Sequence, residues 1–169
     1  MKPPDKSAQF LSVIQTNKGI IYKVANSYCK DADDRKDLIQ EIIIQLWLSF
    51  HKYDEKFALT TWIYRIALNV SISFYRKENR RNEINQPLPE GIIYLREEDS
   101  GKDTNEDVDQ LNLFIKELKE IDRAVIILYL DGKSHQETAD LLGLSAKNVS
   151  VKVTRIKEQL RQKFSTSKS

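Results

Sequence analysis

"SHQETADLLGLSAKNVSVKVTRIKEQLRQKF", residues 134–164, holds two helical stretches separated by about three residues. Ser134 is followed three positions later by Glu137, the capping-box pattern in which a hydroxyl and a carboxylate each satisfy a backbone amide that the helix leaves unpaired. Gly143 ends the first stretch, because glycine enters the left-handed conformation of a helix stop without a steric cost. Ser145 is the candidate cap of the second stretch. Ala139 and Gly143, four residues apart, would also allow a close helix approach. This spacing predicts a helix-turn-helix.

In the second helix Val149, Val153, Ile156 and Leu160 recur at helical spacing and define the packed face. Lys147, Asn148, Ser150, Val151, Lys152, Thr154 and Arg155 are then expected on the exposed sides, with Ser145 at the start. Amides, hydroxyls and cations at a helix N-terminus suit base edges and phosphates in a major groove. An ordinary solvated end helix is the plainer reading. The capped preceding helix and the glycine turn favour DNA.

Working outward, the four prolines sit at 3, 4, 87 and 89, and the long stretches between them show helical rather than alternating spacing. The sequence predicts an all-α chain. Asp122 is a further candidate cap and Gly132 a further stop. Proline, glycine, asparagine and acidic residues gather in 82–109, which reads as a linker between helical modules at 1–81 and 110–169. Its short apolar island, Ile92 to Leu95, interrupts an otherwise polar tether.

Net charge is only +2, yet its parts differ. Residues 1–81 hold 14 basic and 9 acidic side chains, 82–109 hold 2 and 9, and 110–169 hold 11 and 7. Basic ends around an acidic middle suggest a polyanion bound at both ends. At 169 residues the chain can build one core or two small ones. No apolar run approaches the roughly 18 residues of a membrane span. The opening "MKPPDKSAQF" lacks signal-peptide character, so a cytoplasmic protein without membrane insertion is expected. The single cysteine, Cys29, reads as a small buried hydrophobe on a helix.

"LTTWIYRIALNVSISFYRK", residues 59–77, contains no acidic residue. On a helical wheel Ile63, Ile66, Ala67, Val70 and Phe74 form the expected core face. Trp62, Arg65, Asn69, Ser73 and Arg76 fall on a separate flank. That flank reads in one of two ways: Trp62 closes the core edge while the cations extend to solvent, or the stripe binds nucleic acid. Lys56, Phe57, Thr60 and Thr61 upstream, and Lys77 downstream, favour the second. Aromatic faces stack on unpaired bases while cations follow phosphates, which suits a separated strand.

In "DADDRKDLIQEIIIQLWLSFHKYD", residues 31–54, Asp33 and Asp34 are first-turn acids matched to the helix dipole. Asp37, Gln40 and Glu41 make a polar edge on an otherwise apolar helix, as a protein partner bearing Arg or Lys would require.

Together these segments resemble the sigma-70 family of bacterial RNA polymerase initiation factors, in the extracytoplasmic-function (ECF) class. "DLIQEIIIQLW" resembles the region-two helix that binds the clamp helices of one large polymerase subunit. The resemblance implies polymerase-binding roles for Asp37, Leu38, Gln40, Glu41 and Trp47. "KFALTTWIYRIALNVSISFYRK" is similar to the part that melts DNA and reads the minus-ten element. Residues 110–164 resemble region four, which reads the minus-thirty-five element and meets the flap of the other large subunit. Ile42 or Ile43 stands where the family commonly has phenylalanine, Ser73 where aspartate is frequent, and Ser150 where a basic residue is frequent. Core RNA polymerase, promoter DNA and an anti-sigma protein are the implied partners. No cofactor or metal is implied.

A stand-alone helix-turn-helix regulator is the alternative, but it leaves residues 1–81 without a role. An enzyme is not indicated. His51 and His135 are isolated, and neither metal-ligand spacing nor a phosphate loop is present.

Overall fold

The computed structural model describes residues 6–53, 58–84 and 106–167. Lys56, Phe57, the island Ile92 to Leu95 and residues 85–105 of the expected linker lie outside the described residues. Seven α-helices and one short 3-10 turn, without a strand, make up the described chain. They are α1 (Lys6–Tyr28), α2 (Ala32–Ser49), the turn Phe50–Lys52, α3 (Leu59–Ile84), α4 (Glu106–Glu117), α5 (Glu120–Leu130), α6 (His135–Leu142) and α7 (Ala146–Ser167). The fold is all-α. Helix occupies both ends of the 82–109 stretch, up to Ile84 and again from Glu106.

The chain divides into two compact units, Met1–Phe74 and Tyr75–Ser169, so the division falls within α3. In the first unit α1 buries Phe10, Ile21, Val24, Ala25 and Tyr28. Asn17 breaks its helical geometry at φ −115°, ψ 16°, and its side-chain amide donates to the Val13 carbonyl at 2.9 Å. Such a side-chain bond offers the backbone an alternative to the helix ladder. Cys29 is buried, as expected, but lies directly after α1 and not on a helix. Asp31 caps α2 by accepting the Asp33 amide at 3.1 Å, ahead of the first-turn acids Asp33 and Asp34. Leu38, Ile42 and Leu46 then line one buried face of α2 at four-residue spacing.

The core face of α3 differs from the expected one. Ile63, Tyr64, Ala67, Leu68, Ser71 and Ile72 are buried, whereas Ile66, Val70 and Phe74 are half-buried. The helix is rotated by about one residue, because Tyr64 goes inside. Its hydroxyl accepts from Lys23 Nζ at 3.4 Å, so the ring is buried without stranding its polar tip.

The second unit is centred on Ile115, Val125, Ile126, Ala139, Val149, Val153 and Ile156. Leu111, Leu118, Ile121, Leu142, Leu144 and Leu160 pack around them. Val149, Val153, Ile156 and Leu160 are thus the packed face of α7, as the spacing predicts. Arg123 is also buried, at 2% exposure. Its guanidinium donates to the carbonyls of Lys116 at 2.6 Å and Leu118 at 2.8 Å. Those are carbonyls that the end of α4 leaves open. Asp122 is not a helix cap: Lys119 holds the cap position of α5, in extended conformation and with no side-chain cap bond. Asp122 instead lies in the first turn of α5.

Candidate functional site

The turn between α6 and α7 is built as the sequence predicts. Ser134 Oγ accepts the Glu137 amide at 3.0 Å, and the Glu137 carboxylate accepts the Ser134 amide at 3.4 Å. Gly143 has φ +71°, and the Leu144 amide returns to the Ala139 carbonyl at 2.9 Å. A Cβ placed at Gly143 would meet nothing within 4 Å. The glycine therefore serves the backbone angle and not a close helix approach. Ser145 Oγ accepts the Asn148 amide at 3.0 Å, which starts α7.

On α7, Lys147, Asn148, Val151, Thr154 and Arg155 are exposed. Ser150 and Lys152 are half-buried on the two flanks, which corrects the expectation that both lie on open faces. The flank position of Lys152 brings it to α5. Its Nζ lies 3.0 Å from Asp122 Oδ1, and Arg155 Nη2 lies 3.0 Å from Asp122 Oδ2. One carboxylate thus holds two of the candidate DNA-binding cations.

On α3, Arg65, Asn69, Ser73, Arg76 and Lys77 are exposed along one stripe, and Thr60, Thr61 and Trp62 are half-buried at its start. Trp62 ends a chain of rings. Trp47 meets Phe10 edge-on at 5.1 Å and Phe10 meets Phe50 at 5.4 Å. Phe50 lies 6.1 Å and Tyr53 5.2 Å from Trp62. Trp62 therefore closes the core edge with one part of its ring and is accessible with the rest. Within the second unit, Arg76 Nε donates to Glu120 at 3.1 Å. The carboxyl of Glu120 is held below its ordinary value of 4.5, first by its own backbone amide and then by Arg76.

The α2 residues do not all share a surface. Asp37, Gln40, Glu41 and Trp47 are exposed, but Leu38 is fully buried in the core and is not available to a partner. Its place is taken by residues that the sequence reading passed over, Ile44 at 49% and Leu48 at 57% exposure. Asp37, Gln40, Glu41, Ile44, Trp47 and Leu48 repeat at three and four residues and form one stripe, polar toward the middle of α2 and apolar toward its C-terminal end. The signal was present in the sequence: α2 is apolar on more of its circumference than its one buried face requires.

Comparison with known proteins bears on both modules. The Sigma-70 region 2 family matches residues 13–81, and Sigma-70, region 4 matches residues 109–160. The chain belongs to the sigma-70 family, in its ECF class. It is 25% identical over 162 residues to the RNA polymerase sigma factor SigV of Bacillus subtilis, covering 95% of this chain and 93% of that one. It is 29% identical over 135 residues to the ECF sigma factor SigX of the same organism, covering 76% and 70%. Its fold is similar to that of the sigma factor RpoE of Bartonella quintana, solved in complex with the anti-sigma factor NepR. The TM-score is 0.69 at 19% identity, covering 92% of this chain and 94% of that one. This sigma factor is a promoter-specific transcription initiation factor, and a stand-alone regulator is not favoured, since region 2 would have no use in it. No helix among its described residues is long and apolar enough to cross a membrane.

Proposed function

We propose that the two units divide promoter recognition between them. Residues 1–81 act as region 2, residues 110–169 as region 4, and 82–109 as the tether that lets each reach its own DNA element. The exposed stripe of α2, Asp37, Gln40, Glu41, Ile44, Trp47 and Leu48, docks on core RNA polymerase. Acids in its N-terminal half pair with cations of the partner, and the apolar C-terminal half supplies buried area. The outer surface of region 4 meets the other large subunit.

In region 4, Lys147, Asn148, Val151, Thr154 and Arg155 face the major groove of the upstream element, flanked by Ser145, Ser150 and Lys152. In region 2, Trp62 presents the open part of its ring to an unpaired base. Arg65, Asn69, Arg76 and Lys77 follow the displaced strand, aided by Thr60, Thr61 and the preceding Lys56 and Phe57. Binding energy gained on the separated strand offsets the cost of unpairing, and the polymerase performs the chemistry. The chain works in the cytoplasm. Its likeness to a sigma factor solved with an anti-sigma protein supports a sequestering protein partner for this one too.

The observation that carries this reading is the pairing, in one chain and in order, of a solvent-facing apolar stripe on α2 with a capped helix-turn-helix. Transcription in vitro tests it, with sigma-free core polymerase from a related bacterium and a library of duplex promoter fragments. Discrete start sites that appear only on addition of this chain are expected. A chain that shifts duplexes alone, yet neither binds core nor directs a start, would overturn it.

A further inference from the structure

Asp122 has no part in the helix cap that the sequence suggested for it, and its carboxylate is spent elsewhere. It stands in the first turn of α5, only 14% exposed, and reaches across to α7. One oxygen lies 3.0 Å from Lys152 Nζ and the other 3.0 Å from Arg155 Nη2. The two cations differ in what remains open to solvent. The Lys152 side chain is 21% exposed and drawn in against the helix pair, while that of Arg155 is 51% exposed and held by a single nitrogen.

We infer that Asp122 is a specificity-determining positioning residue, which holds Lys152 and Arg155 against α5 and so restrains their sequence-independent capture of phosphate. The inference rests on the DNA-facing role proposed above for α7. Its physics is that of charge and of order. Lys152, Arg155 and Asp122 together present one net positive charge where the two cations alone would present two, and non-specific affinity follows the number of phosphates neutralised. The bond to Asp122 also tethers the Arg155 guanidinium near α5 and engages one of its nitrogens, so it reaches fewer phosphate positions than a free side chain would. Both effects lower binding to arbitrary duplex more than binding to the correct element, and specificity is that difference.

The test uses holoenzyme assembled from core polymerase and the full chain. Binding is measured across a salt series to a promoter duplex and to the same duplex with its upstream element scrambled. Asp122→Asn keeps the side-chain shape and removes the charge. The expected result is a scrambled-duplex affinity about fivefold higher at moderate salt. Its salt slope should be steeper by about 0.9, the value of one added phosphate contact. The ratio of promoter to scrambled binding should fall. Asp122→Glu should restore the ratio, and Asp122→Asn placed in a Lys152→Gln, Arg155→Gln background should have no effect on slope. Asp122→Ser, checked for an unaltered melting temperature, gives the same readout should the Asn variant fold poorly. An unchanged slope and ratio in folded variants would overturn the inference while leaving the DNA-facing role intact. Unaltered holoenzyme with no preference for the intact upstream element would overturn both.

Discussion

The ring of Trp62 lies 5.2 Å from that of Tyr53, centroid to centroid, at a tilt of 46°. An aromatic neighbour on the turn that follows α2 thus fixes one side of the indole at the start of α3. A ring already held in place loses little freedom when a base stacks on it. Trp62→Ala is expected to lower initiation on duplex promoters by about 5- to 150-fold, the range that corresponds to about 1 to 3 kcal/mol of stacking per base. Premelted templates should lose much less. Abortive-product assays on the paired templates check this, and equal losses on both would remove Trp62 from strand capture.

Leu38 and Leu48 are both leucines of α2, and only their burial separates their expected effects. Leu38→Ala should destabilise the first unit by about 2 to 5 kcal/mol through the cavity it leaves. Leu48→Ala, at a position 57% exposed, should leave the urea midpoint nearly unchanged and weaken binding to core polymerase. Denaturation curves and a core-binding titration on the two variants separate packing from docking.

Lys147 and Val151 lie one turn apart on the open face of α7 and are expected to differ in kind. Lys147→Gln should reduce the salt slope of promoter binding by about 0.9 and affect all sequences alike. Val151→Ala should leave the slope as it was and alter sequence preference, because an apolar side chain in a major groove reads thymine methyl groups. Binding to a set of upstream-element variants at several salt concentrations distinguishes the two.

Gly19 and Gly143 both have open space where a Cβ would go, yet substitution should act in opposite directions. Gly143 has φ +71°, so Gly143→Ala should cost about 1 kcal/mol of backbone strain. Gly19 sits within α1, where Gly19→Ala should gain about 0.5 to 1 kcal/mol by restricting the unfolded chain. Urea denaturation of each variant measures both.

Glu120 has its folded-state pKa lowered, first by its own backbone amide and next by Arg76. Its contribution to stability is therefore present above the unfolded value and lost as pH falls through the folded one. Glu120→Gln should lower stability by a constant amount at neutral and alkaline pH, and the difference from the unaltered chain should vanish as pH falls into the acid range. Melting temperatures followed from neutral pH into the acid range provide the check.

The sequence specified most of the helices and the helix-turn-helix, but not the end of α3 at Ile84 or the start of α4 at Glu106. Those features rest on local chemistry: Ser134 and Glu137 cap each other within one turn, Gly143 supplies the positive φ, and Val149, Val153 and Ile156 repeat at helical spacing. It also marked the stripe from Trp62 to Arg76, since charge and aromatic content are visible without coordinates. Tertiary structure decided which face of each helix is spent on the core. Tyr64 turned inward because Lys23 from α1 satisfies its hydroxyl, which rotated the buried face of α3 away from Ile66 and Val70. Leu38 went into the core and left Ile44 and Leu48 outside, although all three are equally apolar in the sequence. Asp122 read as a cap because spacing along the chain cannot reveal a partner 30 residues away. Only the packing of α5 on α7 brought its carboxylate to Lys152 and Arg155.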